Sequence, residues 1–407
     1  MVKQIFNLSR SDLLERATQF IYSTGINDGT SQLCKYNMKY GLAQMHLIQE
    51  KYGFNPTALF ISSPDETISR NKFRWNSGFG YGGKIVWGSG KDKIIFLNTK
   101  PNQCGILVGG MTEIIDPFEL IKMIDEIKQK EIYHDDILID WDYGISNHFI
   151  SLFETKYLSD IEFPPYIFLI HGSAPEIRGD KYGTGIYIDK SKNLKNIAIK
   201  ESTIFGDQYI LLDSDADKYL ELNNKALDFS RDKREIIAKH LFENEFKIIC
   251  NQHHQFLENL NCIYLGSNCT NIDSRAVESN IFPIVLRSDL PAYLFEGKKN
   301  LSITTIKNSD FMERAENFNV LDRLQNANIL PHGAGYTFPD IKNVSEVLEY
   351  KDQRYFVLSC NHKAKKIIRE PTNVQFEYRG RDIILKTLQL DLGGIIARLN
   401  PIFSLKL

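Results

Sequence analysis

A histidine in a glycine-rich turn, with one cysteine and three more histidines placed far from it along the chain, is the chemistry this sequence offers. His332 lies in Leu330-Pro331-His332-Gly333-Ala334-Gly335-Tyr336. Glycine and alanine beside it leave almost no side-chain bulk, so backbone and ligand can approach the imidazole closely. Cys104, His148, His171 and His254 sit in separate short stretches, each next to an apolar, strand-like run. Singly, each reads as a small buried residue or a turn histidine, and an isolated His-Gly-Ala-Gly reads as a tight turn. Together they suggest one metal-assisted site assembled from distant segments. A thiolate with several imidazoles suits zinc, manganese or iron, and not magnesium alone. Such a metal can polarise a phosphoryl group, and a neutral imidazole in a glycine-lined turn can act as a nucleophile toward phosphorus. His253 and His254 are adjacent; in a strand they face opposite sides, so at most one is a ligand. Lys406 is flanked by the apolar Ile402, Phe403 and Leu405, which suggests a tail tucked into the body. A lysine carried in that way wants an acceptor.

The elements that must position these groups belong to a chain of 407 residues, 43% hydrophobic and 25% charged, an ordinary globular balance. Length alone favours two or three domains. A formal net charge of −2 argues against a bulk electrostatic grip on nucleic acid, while leaving room for a local basic groove. The six cysteines form no Cys-x-x-Cys pair and no disulfide-like spacing, which points to a reducing, cytoplasmic compartment. Met1-Val2-Lys3-Gln4 leads into a polar helix and does not resemble a signal peptide. No apolar run approaches the roughly 20 residues that span a bilayer, so no membrane partner is expected.

Ser9 and Asp12 predict a capped helix over 9–24, with Leu13, Leu14, Ala17 and Ile21 on one face and Gly25 ending it. A second helix is expected over 37–51. Strand-like runs follow at 58–61, 84–87, 93–97 and 105–108. Gly78 to Gly83 matches Gly-x-Gly-x-x-Gly but precedes a β-like run, so it reads as a turn before a strand and not as a dinucleotide loop. Further helices are expected over 117–130 and 230–247, and one over 383–399, kinked at Gly393-Gly394. Further strands are expected at 166–170, ending at His171, and at 247–250, 262–265, 283–286 and 292–295. Strands and helices do not alternate regularly. The expectation is therefore a single large α+β domain with mixed β-sheets flanked by helices. Residues 1–55 would be an N-terminal helical segment packed as one unit with 56–407.

With those residues in hand, the chain resembles the RtcB family of RNA ligases over roughly positions 64 to 406. Cys104-Gly105 looks like the end of the family's cysteine motif. Gly144-Ile145-Ser146-Asn147-His148-Phe149 is similar to its Gly-x-Gly-Asn-His-Phe stretch, and Phe168-Leu169-Ile170-His171-Gly172-Ser173 to its strand ending in histidine. His253-His254-Gln255 resembles its His-Asn motif, which puts the ligand on His254. His332-Gly333-Ala334-Gly335 matches the motif whose histidine becomes guanylylated. Tyr378 falls where a tyrosine stacks on guanine, and Lys406 where a penultimate lysine contacts nucleotide.

The resemblance implies an RtcB-like fold, GTP and one or two manganese ions, with zinc as the other candidate metal. It implies a ligase, acting in RNA repair or tRNA splicing, that joins an RNA 3′-phosphate or 2′,3′-cyclic phosphate to a 5′-hydroxyl through a GMP-histidine intermediate. His332 would be the nucleophile; Cys104, His148, His171 and His254 the metal ligands; Asn147, Gly333, Ala334, Gly335, Tyr378 and Lys406 the nucleotide contacts. Any activating partner protein is left unidentified. The chain departs from the family at several points. Pro101 stands where a metal-binding aspartate is expected, and Pro64-Asp65-Glu66-Thr67 where Pro-Asp-x-His is. Ala174-Pro175 follows the strand histidine and serine, with Arg178 the nearest cation. Ser267 to Thr270, Arg287 to Leu290 and Ser151 replace other phosphate- and guanine-holding residues. Two alternatives therefore stay open: a non-catalytic relative that binds metal and nucleotide or RNA ends, and a metal-assisted phosphoesterase.

Overall fold

A computed structural model describes residues 5–144, 147–243, 245–351 and 353–406. Met1 to Gln4, Ile145 and Ser146 of the Asn-His-Phe stretch, Asn244 of the expected helix and the final Leu407 lie outside the described residues.

The framework is one eleven-stranded sheet. In chain order its strands are β1 (Ile21–Tyr22), β2 (Leu59–Thr67), β3 (Tyr81–Val86), β4 (Cys104–Met111), β5 (Phe149–Tyr157), β6 (Tyr166–Gly172), β7 (Lys247–Asn259), β8 (Cys262–Leu265), β9 (Ile281–Ile284), β10 (Ala292–Gly297) and β11 (Gly393–Leu405). In space they run β1-β2-β3-β8-β7-β4-β6-β5-β11-β10-β9. β1 pairs with β2 in parallel and the other neighbours are antiparallel. The central strands read as near-continuous apolar runs because both faces are covered: Ile167 to Ile170 are all fully buried.

Five longer helices flank the sheet: α1 (Arg10–Gln19), α2 (Gly29–Lys51), α3 (Pro117–Lys128), α4 (Asp213–Phe242) and α5 (Asp382–Gln389). α4 lies against β4, β6 and β7. Its buried positions Tyr219, Asn223, Ala226, Leu227, Ser230, Lys233, Arg234, Ile237 and Leu241 follow the three-to-four spacing of one helix face. The polar members of that face, Ser230, Lys233 and Arg234, sit behind the candidate site. Phe242 at its end stacks on Phe168 of β6 with ring centroids 4.0 Å apart. The α+β architecture matches the expectation. Among the described residues no helix is long and apolar enough to cross a membrane.

Several boundaries differ from the sequence reading, each for a stated reason. The first helix stops at Gln19, and Ile21 pairs with Phe60 as part of β1 instead of extending a helical face. α2 starts at Gly29, not 37, because the Asp28 side chain accepts the Ser31 amide and caps it. α4 begins at Asp213, seventeen residues before the expected start at 230. β7 is one continuous strand through His253 and His254. The expected kinked helix over 383–399 is a helix to Gln389 and then β11 from Gly393. There the β-branched Ile395 pairs with Phe295, and the tail continues along β5.

Asp28 also ties the start of α2 to the distant chain. Arg379 donates two hydrogen bonds to it, each 2.8 Å, and Thr337 Oγ1 a third at 3.0 Å. Burial by itself would raise this carboxyl. The Arg379 hydrogen bond and charge, with the Ser31 amide, outweigh it and hold Asp28 below the usual carboxylate range. A carboxyl held low in the fold contributes stability that is complete above its unfolded value of about 3.9 and is lost as pH falls through the folded one. The stability gap between wild type and Asp28→Asn, followed by denaturant unfolding, is therefore expected to be largest near neutrality and to narrow as pH is lowered toward about 3.

Candidate metal centre and active site

Strand register brings the four expected ligands to one end of the sheet. β7, β4, β6 and β5 are consecutive neighbours. Cys104 opens β4, His171 is the penultimate residue of β6, and His148 immediately precedes β5. Ile106 of β4 lies opposite His171, which in turn lies opposite Phe149 of β5. β7 pairs His253 with Gly105 and Gln255 with Cys104, leaving His254 as the extra residue of a bulge. A bulge re-aims the side chain it carries. His254 turns to the cysteine, while His253 faces α4 and accepts from Arg234 at 3.1 Å. One histidine of the pair faces the cluster, and the bulge decides which.

The turn before Cys104 is held in an unusual backbone. Lys100 and Gln103 have φ of 60° and 59°. The Gln103 amide donates to Gln255 O, and Ser230 Oγ of α4 donates to Gln103 O at 2.7 Å. Such left-handed non-glycine residues persist when surrounding contacts over-determine them. Gly105 is required for a different reason: a Cβ there would lie 2.6 Å from Gln252 O and 2.7 Å from the Arg234 guanidinium.

Cys104 Sγ lies 3.0 Å from His171 Nε2 and 3.4 Å from His148 Nε2, and His171 Nε2 lies 3.3 Å from His254 Nε2. Zinc–nitrogen and zinc–sulfur bonds of about 2.0–2.1 and 2.3 Å at tetrahedral angles place donor atoms roughly 3.3–3.6 Å apart. The ligand atoms of Cys104, His148 and His171 all fall within 4.8 Å of one another, and His254 adds a donor from the His171 side. Cys104, His148 and His171 suit a borderline metal by donor type and lie close enough to share one, while His254 stands beside His171 at the edge of that group. Its protonation is split: against its own burial, Cys104 and Asp142 raise His148 to about 10, so without an ion a thiolate faces an imidazolium. Burial raises the Cys104 thiol, but the imidazoles of His171, His148 and His254 outweigh it and hold the thiol well below its ordinary value. Burial pushes His254 down to about 3, a neutral ligand, and it lowers His171 as well.

The outer nitrogens are held in turn. His171 Nδ1 donates to Asn147 O at 3.0 Å, and His148 Nδ1 to Asp142 Oδ2 at 3.0 Å. Both bonds aim Nε2 at the cluster. Asp142 also accepts from Ser173 and from Lys233, which is fully buried and paired with the buried Glu176 at 2.8 Å. Burial opposes ionisation of Asp142, yet Lys233 and His148 keep its carboxyl well below the usual range.

His332 joins the centre through its ring, whose centroid is 4.5 Å from that of His254. Its loop follows a short strand, Ile329–Pro331, paired with Ser267–Cys269, and its backbone bridges to Val285. Asp65, at the end of β2, accepts from His332 Nδ1 at 2.8 Å and from the backbone amides of His332 and Gly333. Ser63 Oγ donates to the other oxygen of Asp65. With Nδ1–H committed, Nε2 keeps its lone pair. Gly335 has φ of 64°, and a Cβ on it would lie 2.4 Å from Asp65 O, so the loop and β2 can meet only with glycine there.

On this side the site opens into a cavity of about 390 Å³. Asn147, His171, His332, Gly333, Ala334, Gly335, Tyr378 and Lys406 all line it. Tyr378 pairs with Tyr336 in a two-stranded ribbon and packs on its ring. Lys406 arrives at the end of β11, beside the start of β5. The structure thus brings every expected site residue to one locus. The positions that depart from the family pattern separate into two groups. Ser151, bonded to Ser404 at 2.6 Å, and Arg287, Ser288 and Asp289 line the cavity. Ser267 to Cys269 are buried in the strand supporting the His332 loop and face no solvent.

Sequence reasoning missed Asp65, Asp142 and Lys233. For Asp65 the signal was present. Ser62, Ser63, Asp65, Glu66 and Thr67 continue the strand-like Ala58 to Ile61 with polar side chains, and in the structure all are buried, so each needs a partner. No family model matches this chain, and no curated protein matches it.

The Asp142–His148 bond predicts a measurable loss. Asp142→Asn is expected to weaken zinc or manganese binding about 10–100-fold in a competitive chelator titration, with the fold retained by circular dichroism.

Proposed function

We propose that this chain is an RtcB-like RNA ligase that joins a 3′-phosphate or 2′,3′-cyclic phosphate end to a 5′-hydroxyl end through a GMP-histidine intermediate. One observation carries the reading. A histidine with Nδ1 fixed by a buried carboxylate lies against His254, beside a thiolate–imidazole cluster and on the wall of a cavity of nucleotide size. The order of motifs from Cys104 to Lys406 supports it as well.

Cys104, His148, His171 and His254 would hold the ion, which when bound would polarise a phosphoryl oxygen and offset its charge. His332 Nε2 supplies the electron pair for a bond to the α-phosphorus of GTP; the bond to the bridging oxygen breaks and pyrophosphate leaves. Asp65 keeps the imidazole in the required tautomer and stabilises positive charge as the N–P bond forms. A 2′,3′-cyclic end is first opened by water, which breaks the P–O2′ bond to leave a 3′-phosphate; an oxygen of that phosphate then takes the GMP group from His332, and a 5′-hydroxyl, losing its proton, displaces GMP to close the phosphodiester. Tyr378 offers a ring face for the base and Lys406 a cation for nucleotide oxygens.

Incubation with labelled GTP and manganese is expected to give an acid-labile adduct on His332. His332→Ala should give none; labelling that survived would move the nucleophile elsewhere. Asp65→Asn, which disturbs the tautomer without emptying the site, is expected to slow labelling by roughly 10²–10⁴-fold. A second reading rests on Pro101. Among the described residues the metal-ligating group contains no carboxylate, as a relative that binds metal without turnover would show. Sealed product from a 3′-phosphate and a 5′-hydroxyl end would end that reading.

A further inference from the structure

Tyr336 and Tyr378 form one wall of the cavity beside His332, and Tyr336 also lines a second cavity, of about 370 Å³, on the His148 side of the centre. The ribbon that carries the two rings is very short. Tyr336 pairs with Tyr378 and Thr337 with Glu377, and the pairing goes no further. A two-stranded ribbon is marginal even at greater length, so its place must be set from outside. Thr67 of β2 supplies one anchor: its hydroxyl accepts from the Tyr336 amide at 3.1 Å and donates to Tyr336 O at 3.0 Å.

The other anchor is Asp28, the N-terminal cap of α2, and its one carboxylate holds both strands of the ribbon. Thr337 Oγ1, from the first strand, donates to Oδ2 at 3.0 Å. Arg379, the residue after Tyr378, donates from Nε to Oδ2 and from Nη2 to Oδ1, each at 2.8 Å. A two-pronged pair of this kind fixes direction as well as distance. The Ser31 amide donates to Oδ1 at 2.8 Å, so the same group sets the first turn of the helix. Next to it, Thr30 Oγ1 accepts from the Phe338 amide at 2.8 Å. Helix and strand approach so closely that a Cβ on Gly29 would collide with Ile341 O. The Arg379 side chain is only 4% exposed, and among the described residues Asp28 is its sole salt-bridge partner. Without that carboxylate a buried guanidinium would be left uncompensated beneath the His332 loop, where a Cβ on Gly335 would lie 2.7 Å from Nη1. Any shift of Arg379 carries the adjoining Tyr378 with it.

We infer that Asp28 is a positioning residue for the nucleotide: by tying Thr337 and Arg379 to the start of α2, it sets the two-tyrosine wall against which the base lies. Asp28 itself lines neither cavity. The inference deepens the ligase reading and rests on it for the identity of the ligand. It extends the site to the N-terminal segment, which lies outside the stretch that carries the family motifs. Coupling of this kind is reciprocal, so a nucleotide that gains affinity from the Asp28 anchor must in turn stabilise the first turn of α2.

The test follows the rate of His332 labelling at saturating manganese as GTP is varied. Asp28→Asn is expected to raise the GTP concentration at half-maximal rate by about tenfold, the order that loss of a stacked base gives, with the limiting rate within about threefold of wild type. Thr337→Val removes one bond and keeps the ion pair and the cap. It should shift the half-maximal concentration the same way by less, and it decides the matter if Asp28→Asn folds poorly. Asp116→Asn uncaps α3 and touches neither cavity, so it should lower stability and leave the GTP dependence alone. Anisotropy of a fluorescent GTP analogue blocked at its α–β bridge repeats the comparison without transfer, and its binding should slow hydrogen exchange at the Ser31 amide. Unmoved half-saturation and affinity in the two ribbon variants, or an effect confined to the amount of protein that labels, would overturn the inference. Wild type that binds the analogue without labelling would remove the ligase reading, and anisotropy would still decide the role of Asp28. Wild type that neither labels nor binds would remove both.

Discussion

The sulfur of Cys104 and the Nε2 atoms of His148 and His171 crowd into one buried space, with His254 Nε2 beside His171. Burying them without a common partner would be costly, since polar groups removed from water need compensation. The rest of the site follows from how the fold imposes that crowding. β7, β4, β6 and β5 set the register, and a bulge at His254 turns one side chain inward that regular pleating would leave misdirected. α4 then fills the space behind with Ser230, Lys233 and Arg234, each hydrogen-bonded to the backbone or to an outer group of the centre.

Two carboxylates divide the electrostatic labour. Asp142 faces Lys233 and orients a ligand, while Asp65 faces backbone amides and orients the His332 ring. Each is almost wholly buried, so neither can trade its partner for water. The centre consequently separates two cavities of similar size and different character. One is bordered by the glycine loop, Tyr378 and Lys406; the other is lined mainly by cations.

Much of this was legible in the residues. Hydrophobic runs located the central strands, and the isolated Cys104, His148, His171, His254 and His332 are together in the fold. What was not legible depended on pairing. Nothing local marks His254 as a bulge, because the irregularity exists only against Cys104 and Gly105. The early turns of α4 carry Asp213, Asp215 and Asp217 with a diluted apolar stripe, so its start was placed too late. At the other end, Ile383 to Leu390 has helical spacing that continues by accident past Gly393, where the chain becomes a strand. Asp65 received no role from the sequence, where Thr67 stands at the position expected for a histidine; Thr67 serves the loop directly by bonding to Tyr336.

The central claim is that one sulfur and several imidazole nitrogens of this chain hold a metal beside His332. X-ray absorption at the metal edge of the loaded full-length protein tests it most directly. The account predicts one sulfur scatterer at about 2.3 Å for zinc, with imidazole nitrogens at about 2.0–2.1 Å. A shell of oxygen and nitrogen with no sulfur, or one left unchanged by Cys104→Ser, would contradict it.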